Sequence, residues 1–239
     1  GQDGKASFDL LIDQPGWIDG EIRLTPDRLP ADDVLPFSLN VSEKAKVLVV
    51  DGDPKTSLKA GESYYLVKAL NPGGSEASPF LPTVITETEM GRVDMRFIDA
   101  LFLLNVGRPD LSRLASFLEM GRPVFLFLGN RIIPDTYNRF SLIPWQIREI
   151  NDLSRQADKL VQLDTGRGIP KFIRTLDDSL KSASFRTYFK VEGAAKTLLA
   201  LKNQDPVLVE AEVGRSKLFL FASSADLDWN DLPLNASYL

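Results

Sequence analysis

The sequence predicts an α/β protein: an open sheet with helical crossovers, preceded by a short β-rich segment over residues 1–44. Three observations carry this. Nearly continuous apolar runs recur, such as Val47-Leu48-Val49-Val50 and Leu101-Phe102-Leu103-Leu104, as expected of strands buried on both faces. Apolar stripes at helical spacing lie between some of them. The first stretch of chain has neither feature and shows short extended runs broken by Pro, Gly and Asp.

Within residues 1–44, Ser7-Phe8-Asp9-Leu10-Leu11-Ile12-Asp13 alternates partly, and Gln14-Pro15-Gly16 signals a turn. Trp17–Leu24 holds a second extended run and Val34–Val41 a third. Three strands make a poor sandwich alone, so the segment reads as the tail of an immunoglobulin-like module.

From Lys46 strands alternate with helices. The Val-rich run ends in the loop Asp51-Gly52-Asp53-Pro54. Glu62–Leu70 reads as a helix with Tyr65, Leu66, Ala69 and Leu70 on one stripe, stopped by Asn71-Pro72-Gly73-Gly74. Leu81–Thr86 and Ala100–Leu104 read as strands. Asp110 then caps a helix carrying Leu111, Leu114, Phe117 and Leu118, closed by Gly121. Pro123–Leu128 is the next strand. An excursion follows, with one helix expected around Trp145–Asn151. Thr197–Leu201 is a further strand, and Val207–Val213 and Lys217–Ala222 form a hairpin about Gly214-Arg215-Ser216. Glu210 and Glu212 alternate with Val209, Ala211 and Val213, so one face of that strand is expected to be wet.

The 239 residues include no histidine and no cysteine. That excludes Ser-His-Asp and Cys-His-Glu triads, thiol nucleophiles, disulfides and thiolate or His-bearing zinc sites. Hydrophobic residues make up 44% and charged residues 26%, ordinary for a globular protein. A net charge of −5 without a basic run argues against nucleic acid as partner. No apolar stretch approaches the ~20 residues that span a bilayer, and no signal-peptide pattern is present.

In open α/β sheets ligands collect at the carboxyl ends of the strands. Those ends supply Asp51-Gly52-Asp53, Asn105-Val106-Gly107-Arg108, Gly129-Asn130-Arg131 and the run Ser223–Pro233. Asp51, Asp53, Asp226, Asp228 and Asp231 could share one rim. Such oxygen ligands suit Mg²⁺ or Ca²⁺, whereas Asp is equally at home in turns and caps. Asp51, Asp53, Asp226 and Asp228 are the candidate metal ligands. Ser223-Ser224 lacks both a His and a Ser-x-x-Lys partner, so a nucleophile there is not expected. Gly166-Arg167-Gly168 lacks the strand–loop–helix setting of a phosphate loop. Trp229, beside the Asp-rich turn, either stacks a ligand or plugs the edge of a core.

Five stretches together resemble one bacterial family: KVLVVDGDP (46–54), ESYYLVKALNP (62–72), DALFLLNVGR (99–108), PVFLFLGN (123–130) and SSADLDWNDLP (223–233). It comprises membrane proteins with an N-terminal double-transmembrane anchor, related to the aerotolerance-type proteins with von Willebrand A domains. The segment Gly16–Val41 resembles the end of the β-rich module that precedes their last domain. The resemblance implies that residues 45–239 form a class I glutamine amidotransferase-like domain, with a three-layer, flavodoxin-like open sheet. It also implies a place on the periplasmic face of the inner membrane, anchored through segments outside this chain. It does not import glutaminase activity. The elbow that would carry the cysteine falls at Gly129-Asn130-Arg131, and neither Cys nor His is available anywhere.

These readings converge on a non-catalytic extracytoplasmic binding domain without a cofactor, whose partners are other envelope or membrane proteins. Its ligand-binding candidates are Asp51, Asp53, Asn105, Arg108, Asn130, Ser223, Asp226 and Trp229. Two alternatives stay open: a metal-dependent hydrolase on the Asp-rich rim, and a binder of carbohydrate or anionic envelope ligands through Trp229, Arg108 and Arg131.

Overall fold

Strict alternation builds the first element pair. In a computed structural model that describes residues 12, 14–25, 33–41, 43–57, 61–74, 78–161 and 178–235, the chain divides into two units, Gly1–Lys44 and Ala45–Leu239. In the first, β1 (Gly16–Arg23) pairs antiparallel with β2 (Val34–Val41), from Gly16 opposite Val41 to Arg23 opposite Val34. Ile18, Gly20 and Ile22 lie opposite Leu39, Phe37 and Leu35, so one face of the ribbon is apolar. Gly20 makes room for the Phe37 ring, since a Cβ there would sit 2.5 Å from Phe37 Cζ. The strand expected at Ser7–Asp13 lies outside the described residues, apart from Ile12.

The second unit holds eleven described strands: β3 (Ala45–Asp51), β4 (Phe80–Thr86), β5 (Ala100–Leu104), β6 (Val124–Phe127), β7 (Trp145–Asp152), β8 (Asp158–Val161), β9 (Ser184–Phe185), β10 (Thr187–Gly193), β11 (Lys196–Leu201), β12 (Pro206–Val213) and β13 (Ser216–Phe221). Its described α-helices are α1 (Ser63–Leu70), α2 (Leu111–Glu119), α3 (Pro134–Asn138) and α4 (Asp178–Ser182). Nine strands form one mixed sheet in the order β4-β3-β5-β6-β13-β12-β11-β8-β9, and β7 pairs with β10 in a separate ribbon.

The three-layer, flavodoxin-like amidotransferase architecture is therefore corrected. Only β4, β3, β5, β6 and β13 run parallel; β13, β12, β11, β8 and β9 are joined antiparallel. The fold is strand-dominated, and its longest described helix has nine residues. One face of the sheet carries Leu101, Leu103, Val124, Leu126, Leu218 and Leu220. These pack in one core with Leu114, Phe117 and Leu118 of α2 and with Trp145, Ile147, Phe189 and Val191 of the β7–β10 ribbon. A β-ribbon thus takes part of the cover that the expectation gave to helices.

The ribbon also corrects the helix expected at Trp145–Asn151. Trp145 and Ile147 both turn inward at a spacing of two, and β10 supplies the ladder. The opposite face of the main sheet is aromatic. Phe102 stacks on Phe125 at 4.4 Å and Phe125 on Phe219 at 4.7 Å, with interplanar angles of 8° and 7°. Cross-strand registry puts these three rings side by side. On that face of β12, Glu212 is exposed as expected, but Glu210 is buried and accepts from Lys217 Nζ at 2.6 Å.

The helices form where their ends are signalled. Asp110 Oδ1 accepts from the Arg113 amide at the start of α2, and Gly121, at φ +77°, terminates it. No described helix is long and apolar enough to cross a membrane.

Candidate functional site at the strand ends

The carboxyl ends of β3, β5, β6 and β13 meet at one rim, as the parallel order requires. The side chains there mostly face inward. Asp51, at the end of β3, is 4% exposed. Its Oδ1 accepts from the Asp53 amide at 3.0 Å, and its Oδ2 from Ser63 N and Oγ at 3.2 and 2.7 Å. It closes the turn and ties β3 to the first residue of α1.

Asn105, just after β5, is buried at φ +51°. Its Nδ2 donates to Glu62 Oε1 at 2.8 Å and to Asn130 Oδ1 at 2.9 Å, while its Oδ1 accepts from the Arg131 amide at 2.8 Å. One amide side chain thereby joins the start of α1 to the ends of β5 and β6. The approach requires two glycines: a Cβ on Gly52 would lie 2.2 Å from Asn105 O, and one on Gly129 would lie 2.4 Å from Asn105 Cγ.

Glu62 was not among the sequence-derived candidates and is the most perturbed acid of the rim. It is 2% exposed, and its Oε2 accepts from the Ala225 amide at 3.2 Å. Burial, and then the charge of Asp226, push its carboxyl up to about 8; the bonds from Asn105 and Ala225 oppose this, and Asp51 adds to it. Burial likewise raises Asp226, against a bond from the Asp228 amide at 2.9 Å.

The loop after β13 is knotted by its own polar groups. Ser223 Oγ donates to Thr187 O and accepts from Asn230 Nδ2, and Ser224 Oγ accepts from the Trp229 amide. Asp231 accepts from the Ser184 amide at 2.6 Å, tying the loop to β9. Trp229 is 8% exposed and packs on Phe189 with centroids 5.6 Å apart. Its ring is core, so the carbohydrate reading loses its stacking platform.

Four charged side chains stay at the surface of the rim. Asp53 pairs with Lys55 and lies 3.6 Å from Arg131 Nη1, and Asp228 is exposed. The Asp53 contact raises Lys55 above its ordinary range. Asn130 is exposed but holds Asn105; Arg108 is exposed on the same side of β5, its amide donating to Glu87 at 2.8 Å. Asp51 and Asp226 are turned onto backbone amides and Asp53 onto cations. Among the described residues no group of three or more acids could hold an ion. Gly166-Arg167-Gly168 lies outside the described residues.

No family model and no curated protein matches the chain. Several solved structures share its fold. The cytoplasmic protein STM1381 of Salmonella typhimurium LT2 aligns over 90% of this chain and 87% of its own, at 14% identity and TM-score 0.56. The cytoplasmic protein STM3548 of Salmonella typhimurium aligns over 77% and 89%, at 12% identity and TM-score 0.56. A β-galactosidase from Rahnella sp. R3 aligns over 82% of this chain and 30% of its own, at 15% identity and TM-score 0.54. At these identities the likeness is one of fold alone. The periplasmic, membrane-anchored expectation finds no support here: the two neighbours matched over most of their own length are named cytoplasmic proteins, and no described helix is long and apolar enough to cross a membrane.

Proposed function

We propose that this chain is a non-catalytic recognition domain that binds other proteins, with the β1–β2 ribbon as its contact surface. One observation carries this reading. The ribbon leaves Leu35 63% and Leu39 43% exposed on its apolar face and Trp17 73% exposed on the opposite face, with Leu24, just past β1, 63% exposed. A two-stranded ribbon has little core of its own, and contiguous exposed apolar side chains mark interaction surfaces. Exposed tryptophan in particular suits the centre of an interface. The strand-end rim supports the same reading from the other side, because its buried acids, amides and hydroxyls are spent on holding loops together.

The test is affinity capture with the full chain as bait from its native cells, quantified by mass spectrometry. Partners recovered by the wild type should fall roughly tenfold or more with Trp17→Ser/Leu35→Ser. They should be kept with Arg131→Glu at the rim. Unchanged recovery by the ribbon variant overturns the proposal, as does loss confined to the rim variant.

A further inference from the structure

The two outer edges of the β1–β2 ribbon differ. The Leu24 amide donates to Asp33 O at 2.7 Å, directly opposite in the register that pairs Gly16 with Val41. Along an antiparallel ladder, pairs that exchange backbone bonds alternate with pairs that turn their N–H and C=O groups away. The even-numbered residues of β1, from Gly16 to Ile22, are therefore bonded to β2, and Trp17, Asp19, Glu21 and Arg23 turn their backbone groups outward. On β2 the outward residues are Val34, Pro36, Ser38 and Asn40. Pro36 has no donor, so it breaks the row in the middle of the β2 edge. The β1 edge holds no proline, and among the described residues nothing takes up its outward backbone groups.

The side chains of that edge define what fits it. Trp17, Asp19, Glu21 and Arg23 share the polar face of the ribbon, and Ile18 and Ile22 the apolar face. Arg23 is engaged by Glu21, its Nε donating to Oε1 at 2.8 Å. Asp19 has no ion-pair or hydrogen-bond partner among the described residues, and it shares its face with Trp17, two residues away and 73% exposed. A second copy of the chain fits this edge poorly. Antiparallel pairing of two β1 edges about a two-fold axis sets Asp19 against Asp19, Asp19 against Glu21, or Glu21 against Glu21 in each register that pairs most of the outward residues. Like charges directly opposite destabilise a ladder. A cation opposite Asp19 instead meets the opposite charge and reaches the Trp17 ring. We propose that the outer edge of β1 takes an extended strand from a different protein, one that alternates basic with apolar residues. Its main chain pairs with Trp17, Asp19, Glu21 and Arg23, its basic residue opposite Asp19 lies against Trp17, and its apolar residues extend the strip of Ile18 and Ile22. This rests on the ribbon being the contact surface and adds that the contact is made by strand addition.

Titration of the full chain with peptides, followed by backbone amide NMR, tests this. The probe is a capped heptapeptide that alternates arginine with valine. One control replaces arginine by glutamate; the other is the arginine peptide N-methylated at its arginine amides, which keeps the charge and loses the donors that face β1. The arginine peptide should bind saturably with a Kd below about 1 mM and slow the exchange of the Trp17, Asp19, Glu21 and Arg23 amides. Both controls should bind about tenfold more weakly or worse. Glu21→Pro, which removes an outward donor without touching the ladder to β2, should weaken the arginine peptide by about tenfold too. Where Glu21→Pro does not fold, the N-methylated peptide decides alone. Equal binding of the arginine peptide and its N-methylated form overturns strand addition, and so does the absence of saturable binding. If Trp17→Ser/Leu35→Ser still loses its partners in affinity capture, strand addition alone has failed; if capture is unchanged, the ribbon reading has failed with it.

Discussion

At the scale of single residues, Asn105 organises the strand ends. It adopts a left-handed backbone conformation that Asn tolerates better than most residues, and it spends both ends of its amide on three neighbours. Asn105→Ala should therefore leave buried partners unsatisfied and lower stability by about 3 kcal/mol in urea unfolding. Asn105→Gly relieves the backbone but not the bonds, so it should recover less than about 1 kcal/mol of that loss. Full recovery by glycine would show that backbone strain, not the bonding, sets the cost. The strand-end rule found Asp51, Asn105, Asn130 and Asp226 in the sequence because loops after parallel strands converge by topology. It missed Glu62, since an acid ahead of an apolar helical stripe looks like any first-turn acid. Its burial arises only once the loop after β13 closes over it. For Trp229 the sequence leaves a stacking and a core-plugging orientation open and the fold takes the second, while Ser223 bonds within its own loop and to β10, because sequence position does not say which way a loop side chain turns.

At the scale of elements, legibility followed how distinctive each period is. The strands β3, β5 and β6 are apolar runs with no competing reading, and α2 has both of its end signals. The stretch Trp145-Gln146-Ile147-Arg148-Glu149-Ile150 fits either a period of two or a helical spacing over so short a length, and the ladder to β10 settles it. The edge strand β4 shows a feature that only the register reveals. The Ala45 amide donates to Pro79 O, so the even-numbered residues of β4 turn their backbone groups outward. Of these, the Phe80 amide donates to Ser78 Oγ, Pro82 has no donor, and the Thr86 amide donates to Glu89. Val84 is left as the outward donor of an uncharged, half-exposed strand, FLPTVIT, that would otherwise invite pairing. The triple variant Ser78→Ala/Pro82→Thr/Glu89→Ala should therefore associate with rising concentration in sedimentation velocity, beyond the wild type. Identical sedimentation of the two proteins would show that the edge is protected by something else.

At the scale of the whole molecule, the parallel half and the antiparallel strands β11 to β13 were legible, and β7 to β10 were not. The strands β8 and β9 are only four and two residues long, and β10 pairs with β7, far back in the chain, rather than with a neighbour in sequence. The pH dependence of stability is a property of this assembled state, because Glu62 is perturbed only when four strand ends meet. Its carboxyl ionises at about 8 in the fold against an ordinary value of 4.5. Between those limits the folded chain keeps a proton that the unfolded chain has lost, so raising the pH favours unfolding. The contribution is complete below about pH 4.5 and is lost as pH approaches 8, with a slope of up to about 1.4 kcal/mol per pH unit. Asp226, also raised, adds to the same trend. Asp94, Glu89 and Asp110 are lowered by hydrogen bonding, so their contributions are lost only as the solution becomes strongly acidic. Stability should therefore peak near pH 5 rather than at neutrality. The urea midpoint of the wild type should fall steadily from about pH 5 to pH 8, whereas that of Glu62→Gln should fall less over the same range, keeping only the part due to Asp226. A wild-type midpoint that rises toward neutrality would mean that Glu62 is ionised in the folded chain and that its charge is neutralised locally.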